Sequence, residues 1–240
     1  MGASLPERGI VDGRFAVKFE PKPRGVLLDL DGTLIDGFGP IAWALNRTLA
    51  EFGRPRMTRE EIVRHTGRGE CSMISLFGDR REEAGRRFLE FHDRRLLDIT
   101  PLPGAEALLR WLAEHEVPRA VVTSKSQSRA ERQLAHLGWT GLLPLVIGLT
   151  PERRQKPDPH TLLLAAEALG CAPGELVMAG DGVGDMKAAR RAGCYPLGVS
   201  GGFDADELRA AGAGDCVDGC PALRVWLECR LALPEAEGVE

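Results

Sequence analysis

The chain of 240 residues is 43% hydrophobic and 28% charged, the balance of a globular protein with room for one sizeable core, or a core and a smaller insert. Its net charge of −4 gives no reason to expect nucleic acid or an anionic membrane as partner. No apolar stretch approaches the roughly 20 residues that span a bilayer.

Residues 1–23 read as an N-terminal arm. Charges are scattered through the first twenty residues with no continuous apolar run, so they do not read as a signal peptide, and a cytoplasmic protein is expected. Asp12-Gly13 lies between Ile10-Val11 and the alternating Phe15, Val17 and Phe19, a short hairpin signal. Pro21 and Pro23 then reset the chain.

The stretch from Gly25 to Asp36, GVLLDLDGTLID, comes next. Val26, Leu27 and Leu28 form the apolar run of a strand buried on both faces. It ends in Asp29 and Asp31, followed by Gly32-Thr33. In open α/β folds the carboxyl edge of the sheet is where ligands bind, and residues two apart on an extended chain face the same side. Carboxylates this close repel, so they need a cation, a shared proton, or both. A hard divalent metal with oxygen ligands satisfies them.

From residue 37 to 100 the pattern is helical. IAWALNRTLAEFG is an amphipathic helix ending at Gly53, and Thr58 to Glu61 is a capping box opening a second. Arg80 to Ile99 reads as a long helical stretch rich in arginine and glutamate. Its interspersed acids make it a solvated face rather than a nucleic-acid patch. The block is expected to be an inserted helical cap, pivoting near Gly37-Gly39 and near Pro101-Pro103-Gly104.

After Gly104 strand and helix alternate. EALLRWLAEH is a helix and PRAVVTS a strand ending in Thr123-Ser124. Ser126 to Leu137 is a helix closed by Gly138, and LLPLVIGL a strand. Asp158-Pro159 opens a helix that ends at Gly170. ELVMAGD is a strand ending in an acid, Lys187 to Ala192 a helix, CYPLGVS a strand and CPALRVWLECRL a terminal helix. This alternation predicts an α/β fold, a Rossmann-like parallel sheet with helices on both faces. The core is then 24–36 and 101–232, the cap 37–100, and 233–240 a C-terminal tail. The six cysteines are scattered, only Cys216 and Cys220 being close, and read as reduced, small apolar residues.

Four strand ends or adjoining loops carry polar residues: Asp29 and Asp31, Thr123-Ser124, Lys156 in QKPDP, and Asp181 and Asp185 in GDGVGD. Parallel strands bring their carboxyl ends to one edge, so the four groups can converge. This ordered set resembles the four motifs of the haloacid dehalogenase-like (HAD) superfamily, over residues from about 24 to 231. KPDPHTLLLAAEALG, GDGVGDMKAARRAGC and PLPGAEALLRWL are similar to its phosphoglycolate phosphatase-like members, which carry an inserted helical cap.

The resemblance implies a phosphatase that works through an aspartyl-phosphate. Asp29 is then the nucleophile, and Asp31 the general acid and later the base. Mg²⁺ is held by Asp29, the Asp31 backbone carbonyl and Asp181, with Asp185 ordering a metal-bound water or Lys156. Lys156 screens the charges, and Thr123 and Ser124 help cradle the phosphate. Two positions depart from the family: Gly182 stands where serine or threonine is common, and Gly37 where serine is common. Both imply thinner hydrogen bonding around the acids.

An intact Asp31 argues against dehalogenation, and a cap without lysine argues against Schiff-base chemistry. A sugar-phosphate mutase resembling beta-phosphoglucomutase shares the aspartyl-phosphate and is the enzymatic alternative. A non-catalytic binding protein on the same core is the alternative from another class. Specificity is expected in the cap at His65-Thr66-Gly67-Arg68-Gly69, where Arg68 either meets a second anionic group of the substrate or is a surface residue. The expected partner is a small phosphorylated molecule, with the chain as monomer or homodimer.

Overall fold

The computed structural model describes residues 8–11, 14–17, 22–67 and 73–231, with side chains over 22–66 and 75–231. Arg68 and Cys71, and the segment 232–240 that contains the expected tail, lie outside the described residues. The hairpin signal in the arm corresponds to β1 (Arg8–Val11) and β2 (Arg14–Val17), which pair antiparallel with Ile10 opposite Phe15.

The apolar run becomes β3 (Gly25–Leu28), and Val26, Leu27 and Leu28 are fully buried. Side chains alternate across a strand, and the two packing layers show it. Val26 and Leu28 pack with Leu108, Leu112, Leu134, Leu223 and Leu227 on one side of the sheet. Leu27 packs with Leu162, Ala165, Ala188 and Ala189 on the other.

After β3 come β4 (Ile35–Asp36) and the helices α1 (Phe38–Glu51) and α2 (Arg59–Gly67). A 3-10 segment (Met73–Arg80) and α3 (Arg81–Arg94) complete the helical block, and β5 (Thr100–Pro101) returns the chain. β4 and β5 pair antiparallel where the block leaves and rejoins the sheet, a contact too short to leave a periodic signal. The block has its own apolar centre, with Phe38, Ile41, Leu45, Leu49, Ile62, Phe77 and Ala84. Ion pairs tie it to the rest, among them Arg59 to Asp36 and Arg64 to Glu207, each at 2.6 Å, and Arg129 to Asp93 at 2.8 Å.

The remaining elements follow in alternation: α4 (Ala105–Glu114), β6 (Arg119–Ser126), α5 (Gln127–His136) and β7 (Val146–Leu149). Then come α6 (His160–Leu169), β8 (Leu176–Gly180), α7 (Val183–Ala192) and β9 (Tyr195–Val199). The last are α8 (Ala205–Ala210), β10 (Asp215–Val217) and α9 (Gly219–Arg230). The six-stranded parallel sheet has the order β10-β9-β8-β3-β6-β7. The chain starts in the middle, builds outward through β6 and β7, then returns to place β8 on the other side of β3. The order reverses between β3 and β8, and such a switch point opens a crevice at the strands' carboxyl ends.

Several expected boundaries move. The Thr58–Glu61 capping box forms in both directions, at 2.7 and 3.2 Å. The long helical stretch stops at Arg94, where Arg95 and Asp98 donate into tight turns that lead to β5. Pro159 rather than Asp158 occupies the cap position of α6, and Asp158 Oδ1 accepts from the His160 N–H at 2.9 Å. Helix α7 begins at Val183, four residues before Lys187. β10 and α8 are short, and the three residues of β10 are only half-buried, so neither gives the apolar run that marks β3 or β8.

Leu28 is fully buried one residue before Asp29. Leu28→Ala is expected to destabilise the fold by about 2–5 kcal/mol through lost burial and the cavity left behind. Urea unfolding should show a lower midpoint at unchanged slope.

Candidate active site

β3 and β8 lie side by side with Leu28 opposite Ala179, and an acid follows each strand directly: Asp29 after β3 and Asp181 after β8. Asp185 enters from the first turn of α7. Asp29, Asp181 and Asp185 are all buried, and each contributes an oxygen lying within 4.8 Å of the other two.

Lys156, from the loop between β7 and α6, closes this group. Its Nζ lies 2.7 Å from Asp29 Oδ1 and 2.6 Å from Asp185 Oδ1, and it donates to the Val122 carbonyl at 2.9 Å. An ammonium has three protons to give, and here three acceptors take them. The acids are further fixed by donors on neighbouring loops. The Gly182 N–H gives to Asp185 Oδ2 at 3.0 Å, and the Gly202 N–H gives to Asp181 Oδ2 at 2.9 Å. The Thr33 hydroxyl gives to Asp181 Oδ1 at 3.3 Å.

Burial and like charge push protons back onto the acids. Burial, then Asp29 and Asp185, raises Asp181 well above the ordinary carboxylate range. Asp185 is pushed up to about 6, burial and Asp29 outweighing the pull of Lys156. For Lys156 burial works against the ammonium, but Asp185 and Asp29 prevail and hold its pKa above the ordinary value. Three carboxylates thus face one ammonium. A buried set of hard oxygen donors with uncompensated negative charge fits a divalent cation, which restores the acids to their ionised form.

Asp31 does not join this cluster through its side chain. Its Oδ1 accepts from Lys125 Nζ at 2.8 Å. Lys125 was not among the residues that sequence reasoning singles out, although lysine is scarce and this one stands two residues beyond Thr123. The strand hides it: Val122 pairs with Ile147 and Ser126 with Leu149, so four steps along β6 match two along β7. Such a bulge re-aims side chains, and here Thr123, Ser124 and Lys125 all line the site. Thr123 Oγ1 accepts the Lys125 N–H at 3.1 Å. Lys125 Nζ also donates to Gln133 Oε1, and Gln133 Nε2 donates to the Leu96 carbonyl at 2.8 Å, between α3 and β5. A chain of polar contacts therefore joins Asp31 to the segment that leaves the helical block.

The two departures from the family pattern have structural reasons. A Cβ at Gly37 would lie 1.7 Å from Asp31 Oδ1, so a serine there is incompatible with the Asp31 side chain as it is held by Lys125. Gly182 serves through its backbone N–H and needs no side chain for that contact.

The acids open onto a cavity of about 230 Å³, whose wall includes Phe38, Ile41, Thr66, Phe88, Leu89 and His92 from the helical block. Of the expected residues, Asp29, Asp31, Thr123, Ser124, Lys156, Asp181 and Asp185 all line it. Arg68 lies outside the described residues. The described cysteines are free, and burial pushes the Cys194 thiol up to about 12 and the Cys220 thiol to about 11, in keeping with small apolar residues rather than metal ligands.

Comparison with known proteins agrees with this geometry. The profile of the haloacid dehalogenase-like hydrolases matches residues 26–199. The phosphoglycolate phosphatase of Chromobacterium violaceum is 33% identical over 78% of this chain and 90% of its own. That of Xylella fastidiosa is 32% identical over 77% and 83%. Among solved structures, a hydrolase from Pseudomonas syringae superposes with a TM-score of 0.77 at 26% identity, over 87% of this chain and 100% of its own. A HAD family hydrolase from Deinococcus radiodurans, with bound phosphate and sodium, gives a TM-score of 0.69 at 25% identity, over 86% and 95%. With its acids converging at the sheet's switch point and its sequence matched from β3 to β9, the chain belongs to the haloacid dehalogenase-like hydrolase family, as one of its phosphatases.

Proposed function

We propose that this protein is a Mg²⁺-dependent phosphomonoesterase of the cytoplasm that hydrolyses a small phosphorylated acid by way of an aspartyl-phosphate on Asp29. The meeting of Asp29, Asp181, Asp185 and Lys156 at the ends of β3 and β8 carries the reading. The choice of a small phosphorylated acid follows the relatives, several of which are phosphoglycolate phosphatases. The block from 37 to 100 acts as a cap over a core of 24–36 and 101–232, and its own apolar centre supports that division.

Phosphoryl transfer asks mainly for positioning and charge neutralisation. A carboxylate oxygen of Asp29 attacks phosphorus as the ester P–O bond breaks. Asp31 gives its proton to the departing alkoxide oxygen. It then takes a proton from the water that attacks the aspartyl-phosphate, which releases inorganic phosphate and restores Asp29. Lys156 offsets the charge of the nucleophile, and the Thr123 and Ser124 hydroxyls hold phosphate oxygens. Lys125 fixes the Asp31 side chain between the two proton transfers. Asp29, Asp181 and the Asp31 backbone carbonyl would hold Mg²⁺, with Asp185 anchoring Lys156. The bound ion supplies neutralisation for the phosphate oxygens.

Phosphate release from p-nitrophenyl phosphate is expected to stop in EDTA and return with added Mg²⁺. Full turnover in EDTA would exclude the metal. Asp29→Asn should abolish turnover, because the neutral amide is no nucleophile. Asp31→Asn should slow an alkyl phosphate by about 10²–10⁴-fold, and an aryl phosphate, with its better leaving group, by less. Equal losses on the two esters in steady-state assays would remove the proton-donor role from Asp31.

A further inference from the structure

Among the described residues two buried side-chain polar atoms have no hydrogen-bond partner, Thr161 Oγ1 and His92 Nε2. Thr161 lies in α6 away from the cavity, whereas the His92 ring forms part of the cavity wall. His92 sits in the last turn of α3 with only 3% of its surface exposed. Phe88 stacks on the ring, with centroids 5.5 Å apart and planes 9° from parallel, so the imidazole is held firmly. A buried polar atom without a partner costs the fold stability that its own contacts do not return. A ligand in the cavity that His92 lines is where the missing partner can come from.

The surroundings say what kind of group fits. Lys125 and Arg129 line the same cavity as His92, and burial together with these two cations outweighs Asp93 and pushes its pKa down to about 4. The imidazole is therefore neutral at pH 7, with one N–H to give. A neutral donor set in a positive field suits an anionic oxygen. Asp31 marks where the leaving oxygen must lie, and Lys125 holds the Asp31 carboxylate. His92 lines the same cavity as both, so an ester with its leaving oxygen at Asp31 has its organic arm in the space that His92 borders.

We propose that His92 is a specificity-determining residue whose Nε2–H donates to a carboxylate on the short organic arm of the phosphate ester. The inference rests on the phosphatase reading above and adds the cap residue that reads the substrate. The neutral ring keeps Phe88 stacked while the field of Lys125 and Arg129 draws the carboxylate to it.

The test compares kcat/KM for 2-phosphoglycolate with that for ethyl phosphate, which lacks the carboxylate, in wild type, His92→Phe and His92→Gln. The wild type should favour phosphoglycolate. His92→Phe keeps the stack on Phe88 and removes the unpartnered nitrogen, so its Tm should equal or exceed that of the wild type while the phosphoglycolate to ethyl phosphate ratio falls about 10-fold or more. His92→Gln restores an N–H at similar reach and should recover part of the ratio. A ratio unchanged in both variants, or a wild type that does not prefer the carboxylated ester, overturns the inference and leaves the phosphatase intact. Equal loss on both esters with a lowered Tm assigns His92 to packing alone and also overturns it. A wild type that releases phosphate from neither ester removes the phosphatase reading, and the inference with it.

Discussion

The buried ammonium of Lys156 is the interaction on which the site depends. Asp29, Asp181 and Asp185 lie too close, and too far from water, to remain ionised without a counter-charge. Lys156 touches two of them and spends its third proton on the Val122 carbonyl of β6. It thereby joins three separate parts of the sheet edge, β3, β6 and the start of α7. The backbone donors of Gly182 and Gly202 complete the work without adding side chains to a crowded place. The acids are preorganised by this framework, so electrostatic stabilisation at phosphorus needs little rearrangement.

Much of this was legible in the sequence because it depends on strong local signals. β3 and β8 are short apolar runs that end in acids, and a run bounded in that way admits few other readings. The capping box at Thr58 to Glu61 and the stops at Gly53 and Gly170 are local hydrogen-bond or conformational requirements, so they survive into the structure. Lys125 was missed for the opposite reason. Its place in the site comes from a register shift between β6 and β7, a relation between two strands that neither displays alone. The antiparallel contact of β4 with β5 and the half-buried β10 escaped similarly, being made by partners rather than by their own residues. The end of α3 at Arg94 is a tertiary decision too, taken where the chain must turn back to reach β5.

The relay from Asp31 through Lys125 and Gln133 to the Leu96 carbonyl links the site to the exit of the helical block. Gln133 is completely buried, so each of its amide groups must find a partner within the protein. It finds one on each side, Lys125 below and the Leu96 carbonyl above. The ion pairs Arg64–Glu207 and Arg129–Asp93 hold the same two bodies together nearer the surface, where solvent weakens them. The inner link is shielded from water and the outer ones are not. Any opening of the block must therefore break a polar contact that lies buried inside the protein.

The strand order has a consequence for how the enzyme comes into being. β3 enters at the centre of the sheet but receives one of its two neighbours only with β8, and Thr33 meets Asp181 across 148 positions. During synthesis from the amino terminus, Asp29 emerges long before Asp181 and Asp185, the acids it meets in the fold. A nascent chain holding β3, β6 and β7 carries Asp29 on an open sheet edge, with neither Asp181 nor Asp185 yet made. Pairings so distant close late and slowly. Translation fragments that stop short of β8 therefore lack two of the three clustered acids, and activity arises only once the sheet has been filled on both sides of its first strand.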